Sequence, residues 1–233
     1  MSVAVGTTSA QTPQQSNFGG LKAQVAAYVQ GQNQPSILAD AGMAINSAID
    51  HLNTRNWNWL LKQQTITLVA STATYTVNAN FKRPRKLTKL DTNSKVVGWF
   101  DYQIPKAFLN DNWGDVNDGD PWVYTVRNAS DDRLLTFNVP PSSDFVTNAP
   151  TARLDYFARA QHFGADGDTM GTLEIPPEVK NYLVWYARWE IASMRGDAGQ
   201  IRAAENSWQR AWKHIAMDDR DEQTDWSVGG SYR

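Results

Sequence analysis

A block of short, β-branched, alternating segments runs from Gln64 to Ala160 with helical periodicity on both sides of it, and this constrains the chain more than any other feature. Strand-like alternation recurs near residues 65–69, 74–77, 86–91, 96–102, 122–127, 134–138 and 152–159, separated by turn-rich stretches such as "DTNS", "GDVNDGDP" and "PPSSDFVTNAP". Strands that follow one another this closely are expected to pair as antiparallel hairpins and meanders. Upstream, Ile37, Ala41, Ala44, Ile45, Ala48 and Leu52 lie on one helical stripe, after a breaker in which Ser36 suits an N-cap. A shorter helix around Leu21, Val25 and Tyr28 precedes it. Downstream, Pro176 and Pro177 open "VKNYLVWYARWEIASM", Gly196 suits its C-cap, and Asp197 suits the N-cap of a last helix carrying Ile201, Ala204, Trp208, Trp212 and Ile215. The expected fold is α+β. Residues 18–62 and 176–217 make a four-helix bundle, 63–175 an inserted antiparallel β domain, 1–17 a flexible N-terminal arm and 218–233 a flexible C-terminal tail.

Lys plus Arg total 22 against 24 Asp plus Glu, which argues against a general nucleic-acid or membrane-surface binder. The absence of cysteine excludes disulfides and thiolate chemistry and fits an intracellular folding compartment. No apolar run reaches the ~18 residues of a membrane span, and the N-terminus lacks the basic and apolar regions of a signal peptide. His51, His162 and His214 fall in separate segments without metal-ligand spacing, and His51 and His214 are expected on solvated helix sides. In the acidic loop, counting from Asp115, a calcium-binding loop would need glycine and glutamate where Asp120 and Val126 stand. A hydrolase using Asp111, Asp118 or Glu174 lacks any partner arrangement. Neither enzymatic activity, metal nor cofactor is expected.

Ten tryptophans are about three times ordinary usage, and tryptophan is enriched at interface hot spots. Trp57 and Trp59, wound as helix, would point about 200° apart, leaving Trp57 opposite its stripe. Val184 and Ile191 likewise lie opposite the main face of their helix. These three are candidates for a subunit or partner interface, and Trp226, Tyr232 and Arg233 are candidate tail contacts. Lys82, Arg83, Arg85, Lys86 and Lys89 crowd into "FKRPRKLTK". Such a cluster either faces a DNA-filled channel or an acidic partner, or guards an edge strand against aggregation. Trp99, Trp113 and Trp122 suit an alternative reading, an aromatic-rich β module binding carbohydrate or peptide.

The order of these features resembles the phage head-to-tail adaptor (connector) proteins, such as the podoviral tubular-tail-A and gatekeeper-type adaptors. The resemblance spans roughly residues 20–220 and rests on "AINSAIDHLNTRNWNWLLKQQTITLVASTATYTV", "GDPWVYTVRNASDDRLLTFNVPPSSD", "RLDYFARAQHF" and "LEIPPEVKNYLVWYARWEIASMRGD". It implies a structural virion protein at the portal vertex, forming an oligomeric ring of about twelve copies. Such a ring would dock on the portal protein, present a surface to the next tail component (nozzle or tail tube) and line the channel through which DNA passes, without a membrane partner.

Overall fold

The computed structural model describes residues 17–29, 34–110, 117–129 and 132–227, in which six α-helices and seven strands form. The chain divides into two units, residues 1–55 with 160–233 and residues 56–159.

The first unit is helical: α1 (Phe18–Tyr28), α2 (Pro35–Leu52), α5 (Lys180–Arg195) and α6 (Ala198–Ser227). Pro35 occupies the first turn of α2, where a missing amide costs nothing, and Gln34 rather than Ser36 is the N-cap residue. The apolar stripe of α2 is buried along its length, and Gly42 admits Phe18 of α1, whose ring lies 3.2 Å from where a Cβ would stand. α5 is the centre of the unit, with α1, α2 and α6 each packed on it, an arrangement around one helix in place of four equivalent corners. Residues 184, 188, 191 and 195 share one side of α5. Arg188 Nη2 donates to Gln24 O (2.9 Å) and Arg195 Nη1 to Val29 O (3.0 Å), so α1 covers that side. Gly196 closes α5 in the left-handed conformation (φ 75°), and Asp197 Oδ1 accepts from the amides of Gly199 and Gln200 to start α6.

α6 runs past the expected boundary at 217 to Ser227. Its stripe continues from Ile215 to position 219, but the residue there is an aspartate. Asp219 is 3% exposed and lies 3.6 Å from Arg55 Nη2, so an ion pair with a buried carboxylate stands in a segment expected to be a flexible tail. An extended strap, residues 160–168, crosses α2 and is gripped by asparagines two turns apart. Asn46 exchanges two hydrogen bonds with the backbone of Phe163 (3.0 and 3.1 Å), and Asn53 does the same with Ala160 (2.8 and 3.0 Å). His162 Nε2 meets Asp50 between them at 2.8 Å.

The second unit is a seven-stranded sheet, β1 (Leu61–Thr67), β2 (Thr74–Val77), β3 (Phe81–Leu90), β4 (Val96–Tyr102), β5 (Val123–Ala129), β6 (Asp132–Phe137) and β7 (Thr151–Ala158). Its order, β1-β7-β3-β4-β5-β6-β2, differs from the expected meander. Only β3–β4 and β5–β6 are antiparallel neighbours in sequence, β1 pairs with β7 and β2 with β6, and β4–β5 is parallel. A parallel pair needs a crossover, which the chain makes through α3 (Pro105–Asn110). The Gln64 side chain brings the two outer strands together, donating to Thr76 O (3.2 Å) and accepting from Asn78 N (2.9 Å). One face of the sheet encloses a core that includes Leu87, Phe100, Leu135, Phe137, Leu154 and Tyr156. α4 (Ser143–Asn148), expected as a loop, adds Phe145 to this core. Ser142 Oγ caps it by accepting from Phe145 N at 3.1 Å.

Candidate interaction surfaces

β3 carries the basic run, and its backbone is irregular there. It sets ten residues against the eight of β7, and the register shifts fall at Lys82 and Arg85. β4 pairs only with residues 87–90, so the first half of β3 has β7 on one side alone. The five cations do not act together. Lys86 Nζ lies 5.7 Å from the Trp99 ring centre. Lys89 turns inward, donating to Pro121 O at 3.2 Å with its ammonium over the rings of Phe100 and Phe145 (4.7 and 5.2 Å). Burial pushes the Lys89 pKa down, partly opposed by the carboxylates of Asp120 and Asp101. Lys89 also lines a cleft of about 380 Å³ with Val97, Asp120, Asp144 and Phe145.

Trp57, Val184 and Ile191 lie inside the chain and not on a surface, at 0%, 6% and 3% exposure. α2 ends at Leu52, so Trp57 is not on the helix whose stripe would have turned it outward. It adopts an extended conformation before the single turn Asn58–Leu60 and stacks near Trp59 (6.3 Å between rings). Val184 and Ile191 are covered because α5 is wrapped by helices on more than one side. The exposed aromatics among the described residues are instead Trp99 (64%), Trp122 (55%) and Tyr102 (42%) on the sheet unit. Trp113, Asp111 and Asp115 fall outside the described residues, as do Tyr232 and Arg233 of the tail. The backbone of Trp226 is described as the end of α6, its side chain not. Asp118 accepts a hydrogen bond from Ser71 Oγ. Among the described residues no group of three or more acidic or histidine side chains is placed to hold a metal ion.

His51, expected on a solvated side, sits in an aromatic cluster. Its ring lies 5.2 Å from Tyr186, 5.9 Å from Trp208 and 4.7 Å from Trp212, and its Nδ1 is 2.5 Å from Tyr182 Oη. His51, Trp208 and Trp212, with Gln209 and Lys213, border an open cavity of about 310 Å³. Burial holds the His51 imidazole below its ordinary pKa of 6.5. The unfolded chain therefore takes up this proton at higher pH than the folded one, and the associated stability, complete above about pH 6.5, falls away as the pH drops below it. His51→Gln should flatten that acid-side loss. The urea midpoint should then change less between about pH 7.5 and about pH 5.5 than in the parent protein. An unchanged pH dependence would remove His51 as its source.

The helix–sheet–helix order, the strap and the wrapped central helix describe a scaffold that carries candidate interaction surfaces. A family comparison matches residues 16–233 to the SU10 adaptor protein family. The chain belongs to that family. It is thus a phage head-to-tail adaptor, a structural component of the virion at the head–tail junction, of a non-enzymatic kind that meets portal and tail components. A search of curated proteins found no match. Among the described residues of the adaptor, no helix is long and apolar enough to cross a membrane. The family match begins one residue before Asn17, whose side chain caps α1 by accepting from Gly20 N at 2.8 Å.

Proposed function

We propose that the adaptor assembles as a ring of about twelve copies beneath the portal, joins it to the next tail component and surrounds the path of the DNA. The observation that carries this reading is the family match over nearly the whole chain. A head-to-tail ring uses two different surfaces of every subunit. Trp99 and Trp122, exposed on the sheet unit, are the aromatic anchors suited to one of them. The end of the chain, with Trp226, Tyr232 and Arg233, is the second. Because Asp219 belongs to the fold, a truncation that tests the tail must start beyond it. Deleting residues 223–233 should weaken co-sedimentation with the portal about tenfold or more while the thermal unfolding midpoint stays put. Equal portal binding by the truncated chain would remove the tail from the interface.

A further inference from the structure

The sheet register assembles a cationic patch that the sequence scatters. β2 ends at Val77, which pairs with Arg133 of β6, and β3 begins at Phe81, which pairs with Ala158 of β7. The turn Asn78–Asn80 joins them, and Arg159 donates its backbone N–H to Asn80 O at 2.7 Å. Arg133 and Arg159 thereby flank the same turn as Lys82 and Arg83. Arg83 and Arg159 are exposed, and neither they nor Arg133 make a salt bridge among the described residues.

We propose that Lys82, Arg83, Arg133 and Arg159 form a binding site for the backbone phosphates of nucleic acid, with Arg85 beside it. Edge protection would account for the basic residues, Pro84 and the bulges of β3 itself. It does not account for arginines supplied by β6 and by the residue that follows β7, and convergence from three separate parts of the chain is what a site for a polyanion requires. Bringing the cations together has a cost. Burial lowers the Lys82 pKa, with the charges of Arg159 and Arg83 adding to the effect, and burial followed by Arg159 does the same to Arg133. A ligand with closely spaced negative charge relieves that repulsion. Three of the four groups are guanidinium forks, which match phosphate oxygens in pairs. The acids adjoining in sequence, Asp131 and Asp132, are outnumbered. The inference deepens the adaptor reading, on which its biological setting rests, since DNA leaving the head passes this protein.

The test is fluorescence anisotropy of the full chain with a labelled duplex of arbitrary sequence, at about 50 and about 200 mM salt. The variant Arg133→Gln/Arg159→Gln leaves β3 untouched. Lys95→Gln/Lys106→Gln removes the same charge from exposed positions elsewhere. The first variant should bind about tenfold or more weakly, with the log–log salt slope shallower by about 2, and the second should stay within about twofold of the parent. Three results would overturn the proposal: a parent protein that does not bind at the lower salt, equal losses in the two variants, or tighter binding of poly-glutamate with the same sensitivity. The last would mark a docking site for an acidic protein. Capture on portal, measured on the same variant, keeps this outcome separate from the adaptor reading, because a phosphate site can fail while ring assembly persists.

Discussion

Replacing Trp57 by alanine should lower the unfolding free energy of the isolated chain by about 4 kcal/mol, the range for deleting a fully buried large aromatic side chain. Trp57 is 0% exposed and among the largest side chains with no solvent contact. The chain reaches it through the turn after Leu52, and Leu60 N donates to its carbonyl at 3.0 Å, so both its backbone and its ring are committed to the fold. Urea unfolding measures the effect, with the slope checked for constancy. An interface residue would leave the isolated chain's stability nearly unchanged and weaken only assembly. A loss below about 1 kcal/mol would therefore return Trp57 to the surface.

The second large effect is expected at Arg55 and Asp219, and the two partners should not be equivalent. The Asp219 side chain is 1% exposed and the Arg55 side chain 35%. Arg55→Met leaves a carboxylate buried without this cation and should cost about 3 kcal/mol. Asp219→Asn leaves a guanidinium that water already reaches, and should cost only about 1 kcal/mol. Hydrogen exchange should show Arg55→Met loosening α6 from Ile215 onward more than Asp219→Asn does. Equal costs for the two variants would show that burial of Asp219 does not govern the pair.

The elements that could be read from the sequence were those whose own periodicity carries them. All seven expected strands and the four long helices are present, but β1 and β3 begin earlier than their alternation suggested, α2 stops at Leu52 and α6 runs on to Ser227. Gly196 and Asp197 end and begin helices as expected. Short helices α3 and α4 have too few residues to show a period, although Ser142 ahead of Asp144 is a capping signal in retrospect. Strand order was not legible, because pairings such as β1–β7 and β2–β6 are decided by sheet closure between distant residues. The burial of Trp57, Val184 and Ile191 was not legible for the same reason. Helical-wheel reasoning turned Val184 and Ile191 outward, without knowing that α1 lies on that side of α5. The run from Lys82 to Lys89 suggested one patch, yet the fold sends Lys86 and Lys89 to aromatic rings and draws in Arg133 and Arg159. Family membership was legible because it rests on the order of the elements, which a single chain does carry.

Ring formation on the portal is the central claim, and negative-stain microscopy of the purified protein mixed with the portal of the same virus tests it most directly. A closed ring capping one end of the portal, with about twelve copies, is the expected image. Bare portals beside a folded, monomeric adaptor would contradict the account.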